Sequence, residues 1–138
     1  MHKEPNGRIK MGKTTITKKF EFCYGHCLPG HKGKCKFQHG HNSCLEIEID
    51  NHHGVDTYKS MIMDFADLKA IVKDRIIDYL DHKNLNDLPE FQDKAPTAEN
   101  IVDWIVFNLA QSVGSPLEFC LVRVRLYETP DSYAEWKA

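Results

Sequence analysis

Two stretches of two-residue alternation, separated by a short turn-rich loop, constrain this chain most. Residues 14–28 read TTITKKFEFCYGHCL, rich in threonine, isoleucine and aromatics, which is strand composition. Ile16, Phe20, Phe22, Tyr24, His26 and Leu28 fall on one face, and Thr15, Thr17, Lys19, Glu21, Cys23 and Cys27 on the other. A loop with Pro29, Gly30 and Gly33 follows. In residues 39–50, His39, His41, Ser43, Leu45, Ile47 and Ile49 share a face, opposite Asn42, Cys44, Glu46, Glu48 and Asp50. This split describes half-buried strands of an antiparallel sheet. Paired across the loop, the strands bring His26 to His39 and His41, all on the apolar side.

The remaining chain predicts an α+β domain. After the polar segment 51–60, MIMDF (61–65) reads as a short strand leading into a helix. Asp64 is its N-cap, and Leu68, Ile71, Val72, Arg75, Ile76 and Tyr79 follow at spacings of three and four. That helix ends near Asp81-His82, and residues 83–96 read as a loop. A second helix starts at Thr97 as N-cap, with Glu99 in its first turn and Ile101, Trp104, Ile105 and Leu109 on its buried stripe. Gly114, Ser115 and Pro116 end it, and a last strand runs from about 117 to 128. Cys120, Val122, Val124 and Leu126 form its apolar face, which Glu128 continues. Strands, helix, helix, strand predict an antiparallel sheet with both helices on one face.

The length of 138 residues favours one domain, taken as 14–138. Residues 1–13 read as a polar, disordered or weakly ordered N-terminal extension without the apolar run of a signal peptide. A net charge of −2 argues against a nucleic-acid or membrane-surface binder. No stretch approaches the roughly 20 apolar residues that cross a bilayer. The reading is therefore a cytoplasmic protein with its five cysteines reduced, and an odd count fits a disulfide framework poorly.

The chemistry concentrates at His26, Cys35 and His39-Gly40-His41. Three imidazoles can hold zinc and leave the fourth position open, as in a catalytic rather than a structural site. His2, His52 and His53 lie in polar sequence and read as exposed, and His31 sits in the turn. A thiolate zinc site from Cys23, Cys27, Cys35 and Cys44 lacks any Cys-x-x-Cys pair, so Cys23, Cys27, Cys44 and Cys120 read as small structural residues. Cys35 stands among Lys32, Lys34 and Lys36, a setting that favours the thiolate and fits a base or nucleophile. Asp81-His82 reads either as an oriented proton carrier or as favourable charge at a helix end. Glu128 reads either as a partnered carboxylate able to accept two N–H bonds from an amino-pyrimidinone ring, or as an exposed residue at a frayed strand end.

The segments FEFCYGH, GHKGKCKFQHGHN, MDFADLK, LDHKNLND, PTAEN and VRLYETP resemble the 6-pyruvoyl-tetrahydropterin synthase / 6-carboxy-tetrahydropterin synthase family. The resemblance spans about residues 20–130. It implies a tunnelling fold, an antiparallel four-stranded sheet backed by two helices, with subunits joining into a trimeric β-barrel and two trimers stacking as a homohexamer. It implies zinc on His26, His39 and His41, a proton-transfer group of Cys35, Asp81 and His82, and a pterin anchor at Glu128, helped by Thr97. Active sites between subunits would pair Cys35 with Asp81 and His82 of a neighbour. The implied substrate is 7,8-dihydroneopterin triphosphate. The three-residue gap from Cys35 to His39 resembles the bacterial 6-carboxy enzyme of queuosine-precursor synthesis. Cys27 after His26, and Phe37-Gln38 before the His-Gly-His, depart from the family pattern without removing a ligand. The alternatives are the pyruvoyl activity and a non-catalytic, zinc-stabilised pterin-binding oligomer.

Overall fold

In the computed structural model, residues 5–7, 12–51 and 61–138 are described. The expectations for most of the N-terminal extension, and for His2, His52 and His53, lie outside the described residues.

Strand β1 (Ile16–His26) pairs antiparallel with β2 (His39–Ile49) in an unbroken register from Ile16 opposite Ile49 to His26 opposite His39. Phe20, Phe22, Tyr24 and His26 of β1 are buried, as are Ser43, Leu45, Ile47 and Ile49 of β2. The predicted apolar face is thus the observed one.

The first helical run is α1 (Phe65–Val72), a π-type segment (Lys73–Ile77) and a closing turn, α2 (Asp78–Leu80). Asp64 caps it, its side chain accepting from Ala66 N. The second run is α3 (Ala98–Val106) with a π-type continuation (Phe107–Gln111), capped by Thr97 accepting from Asn100 N. Leu68, Val72, Ile76 and Leu80 from the first run, and Ile101, Ile105 and Leu109 from the second, are fully buried in one core with the apolar face of the sheet. Tyr79 stacks on Trp104 at 5.4 Å, and Arg75 donates to the Asn108 carbonyl, so the helices also hold each other.

Several sequence expectations need correction. The sheet has five strands, not four, in the order β3-β1-β2-β4-β5. Strand β3 (Lys83–Asn84) lies inside the predicted loop and pairs parallel with β1, so the sheet is not wholly antiparallel. Two residues held by a partner some sixty positions away leave no local pattern. Strand β5 (Ser132–Lys137) pairs with β4 (Leu121–Thr129) through a tight turn; its half-exposed sequence carries little apolar signal. MIMDF is not a strand, because Asp64 caps a helix beginning at Phe65. The last long strand starts at Leu121, after turns over residues 116–120. A register shift at Glu48/Ile49 sets Leu121 opposite Ile49 and Arg123 opposite Glu48. Leu121 is therefore buried and Val122 only half-buried, because a bulge moves one residue off the alternation.

The face away from the helices is a charged ladder. Arg123 donates to Glu48 at 2.7 Å and to Glu46 at 3.1 Å, and Arg125 pairs with Glu135 at 2.7 Å. These bonds explain how Glu46 can be 6% exposed, since a buried carboxylate needs a partner. All five cysteines are free.

Candidate active site

The register of β1 and β2 builds the site. His26 ends β1 opposite His39, and His41 lies opposite Tyr24. Alternation puts all three histidines on the helix-facing side. One ring nitrogen from each lies within 4.8 Å of the others, and His26 Nε2 is 3.0 Å from His41 Nε2. His26 Nδ1 contacts the Pro96 carbonyl at 2.7 Å, and His39 Nδ1 contacts the Phe37 carbonyl at 2.8 Å. A carbonyl only accepts, so both Nδ1 atoms carry a proton, and in the neutral tautomer each Nε2 presents a lone pair. Such outer hydrogen bonds fix the tautomer and the ring direction of metal-binding histidines. Burial, above all else, holds the His26 pKa below the usual imidazole range and keeps the ring neutral. The facing Nε2 atoms of His26 and His41 are satisfied by a proton on His41 or by a shared cation. The donor set fits zinc, which takes neutral imidazoles in a four-coordinate site.

Glu128 lies beside this cluster. It follows Leu126 on the core-facing side of β4, and its Oε1 is 3.9 Å from His26 Nε2 and 4.0 Å from His41 Nε2. The same oxygen accepts from the Tyr24 hydroxyl at 3.3 Å. Strand β4 continues through Thr129, so the frayed-end reading of Glu128 does not hold. Thr97 adjoins Pro96, whose carbonyl holds His26, and its Oγ1 caps α3.

Cys35 sits half-buried in a single 3₁₀ turn (Lys34–Lys36), and its carbonyl accepts from Leu28 N at 2.7 Å. It is not a member of the three-histidine cluster. His31 is exposed, with Nδ1 taken by Gly33 N. Asp81 and His82 are clamped to β1 through the Cys23 peptide. Cys23 N donates to Asp81 Oδ1 at 3.0 Å, and His82 N donates to the Cys23 carbonyl at 2.7 Å. Asp81 Oδ1 also faces His82 Nδ1 at 2.9 Å. The Cys23 N–H is the main cause holding the Asp81 carboxyl below its usual range, and His82 adds to it. His82 has φ 60°, the one non-glycine positive φ among the described residues. Strain of this kind persists where surrounding bonds fix it, often at functional sites. His82 and Asp81 border a groove with Cys23, Asn42 and Cys44, and His82 also borders a shallow depression with His39 and His41.

Tyr24, the Pro96 and Phe37 carbonyls and the Cys23 peptide carried no role in the sequence reading. Only Tyr24 left a signal there, a hydroxyl-bearing ring on the apolar face two residues before His26. The carbonyls act through backbone atoms that residue identity does not reveal.

Comparison with known proteins places the chain in a family. The chain is 34% identical to 6-carboxy-5,6,7,8-tetrahydropterin synthase of Haemophilus influenzae, over 88% of this chain and 97% of that protein. It is 34% identical to human 6-pyruvoyl tetrahydrobiopterin synthase, over 76% of this chain and 71% of that one. The fold matches the Caenorhabditis elegans 6-pyruvoyl tetrahydropterin synthase structure with a TM-score of 0.76 and 26% identity, covering 94% of this chain and 99% of that one. The sequence pattern of the 6-pyruvoyl tetrahydropterin synthase family matches residues 15–138, and the chain belongs to that family.

Proposed function

We propose that the protein is a zinc-dependent lyase. With water, it converts 7,8-dihydroneopterin triphosphate to 6-carboxy-5,6,7,8-tetrahydropterin, acetaldehyde and triphosphate, a step toward 7-deazaguanine (queuosine) precursors in the cytoplasm. The carrying observation is the convergence of His26, His39 and His41 with two Nδ1 atoms tied to carbonyls and Glu128 beside them. Relatives named for both the carboxy and the pyruvoyl activity match this chain. The short spacing from Cys35 to His39 favours the carboxy reading.

His26, His39 and His41 would hold zinc, which as a Lewis acid acidifies bonds next to the oxygens it binds. Cys35, with Lys34 and Lys36 on either side, takes a proton from the substrate side chain as thiolate. His82 returns a proton from Nε2, since Asp81 occupies Nδ1. Glu128 accepts the amino and ring N–H groups of the pterin, and the Thr97 hydroxyl assists. Lys32, Lys34 and Lys36 steer the triphosphate by charge. Asp81 and His82 are tied to the Cys23 peptide of β1, and Cys35 is carried by the 3₁₀ turn between β1 and β2. The reading includes a site shared between subunits, Cys35 of one acting with Asp81 and His82 of a neighbour, within a hexamer of two trimeric barrels.

Incubation of zinc-loaded protein with 7,8-dihydroneopterin triphosphate, with products identified by mass spectrometry, tests the reading. Acetaldehyde and 6-carboxy-tetrahydropterin are expected. A 6-pyruvoyl product moves the assignment to the sister activity, and zinc binding without turnover leaves a pterin-binding oligomer.

A further inference from the structure

We infer that Tyr24 is a positioning residue whose hydroxyl holds the Glu128 carboxylate off the three-histidine cluster, keeping the fourth metal position open for substrate. This rests on the functional reading above and extends it to a residue outside the ligand set.

The geometry sets up a competition for one oxygen. Glu128 Oε1 is 3.9 and 4.0 Å from the Nε2 atoms of His26 and His41. Neighbouring ligands of a tetrahedral zinc stand roughly 3.4 Å apart, given bonds near 2.1 Å. Glu128 Oε1 thus stands about half an ångström beyond ligand-to-ligand distance from two of the three rings, just outside the group that His26, His39 and His41 form, and a site closed by a protein carboxylate is structural rather than catalytic. The opposing contact in the structure is the Tyr24 hydroxyl, which donates to that same oxygen at 3.3 Å.

Tyr24 is built to hold its place. Its side chain is 2% exposed. Its ring stands edge-on to His26 at 5.2 Å and against His41 at 5.5 Å, so the phenol cannot swing away without displacing two candidate ligands. Ser43 lies diagonally across on β2, on the same face. Its Oγ is buried and makes no hydrogen bond.

Cobalt(II) substitution tests this, because its visible spectrum reports ligand number and type independently of turnover. Wild type, Tyr24→Phe and the double variant Tyr24→Phe/Glu128→Gln are loaded with Co(II), after thermal melting confirms that each folds. Tyr24→Phe is expected to shift the visible bands as the carboxylate joins the metal. Its kcat/KM is expected to fall roughly 10- to 100-fold, the range for loss of an outer partner. The double variant is expected to return to the wild-type spectrum, because an amide is a poor ligand. A Tyr24→Phe spectrum identical to wild type overturns the inference alone. A shift that persists in the double variant also overturns it, tracing the change to the histidine rings instead. Wild-type protein that takes up no Co(II) overturns the functional reading, and this inference with it.

Discussion

Asp81→Asn keeps the shape of the side chain and removes its charge, and the structure sets how much that should matter. Asp81 Oδ1 accepts from Cys23 N at 3.0 Å and faces His82 Nδ1 at 2.9 Å. An amide oxygen can accept both bonds, so the clamp on β1 survives. What disappears is the negative charge that stabilises His82 when it carries an extra proton. Unit charges about 4 Å apart interact by roughly 1 kcal/mol in water and roughly 4 kcal/mol at an effective dielectric of 20. The two side chains are 34% and 79% exposed, which places the loss toward the lower figure, about 1–2 kcal/mol after screening. With tenfold in rate for each 1.36 kcal/mol, kcat should fall about 5- to 30-fold with KM unchanged. Asp81→Ala also removes the acceptor that holds Cys23 N and faces the His82 ring, so its loss should be about 100-fold or more. Steady-state kinetics with product quantification, next to urea unfolding, separates the two effects. Unchanged kcat in Asp81→Asn takes the pair out of the proton path. A thousand-fold loss in a stable variant refutes the screened electrostatics. The pH dependence has a definite sign. A carboxyl held below its usual range stabilises the fold fully above the ordinary value near about 4, and that stability fades as pH falls through the lowered value. The stability gap between wild type and Asp81→Asn should therefore narrow on acidification.

Cys35→Ala should keep its metal and lose turnover by about 100-fold, the effect of losing a positioned base; wild-type turnover removes the cysteine from the mechanism. Glu128→Gln should raise KM for the pterin substrate more than it lowers kcat, and an unchanged KM and rate would leave Glu128 structural. Arg123→Met should cost about 2–3 kcal/mol in urea unfolding, below the 3–5 kcal/mol for breaking a fully buried pair. Glu46 keeps Lys19 at 3.4 Å and Arg125 at 3.6 Å. A cost under about 0.5 kcal/mol would class the ladder with ordinary surface pairs.

What could be read in the sequence is what repeats locally. The alternation of Phe20, Phe22, Tyr24 and His26 against Leu45, Ile47 and Ile49 gave the hairpin and its buried face, and with it the meeting of His26, His39 and His41. The caps Asp64 and Thr97 act as their residue types predict. Features set by distant contacts were not legible. Strand β3 exists because Lys83 and Asn84 meet Tyr24 and Gly25, and β5 because half-exposed residues complete the edge of β4. The bulge that exchanges Leu121 for Val122 depends on register with β2. Asp81-His82 stayed ambiguous because its anchor is a peptide group 58 positions earlier. Glu128 was undecided because its nearest partners, Tyr24, His26 and His41, come from two other strands.

The central claim is an open three-imidazole metal centre that the reaction requires. The most direct measurement strips the protein with a chelator, titrates zinc back, and follows bound metal and turnover of 7,8-dihydroneopterin triphosphate together, in wild type and in His39→Ala. Turnover should be lost on stripping and return in proportion to zinc bound by the wild type, while His39→Ala should neither retain zinc nor recover. Full turnover by the stripped protein, or full zinc retention by His39→Ala, would contradict it.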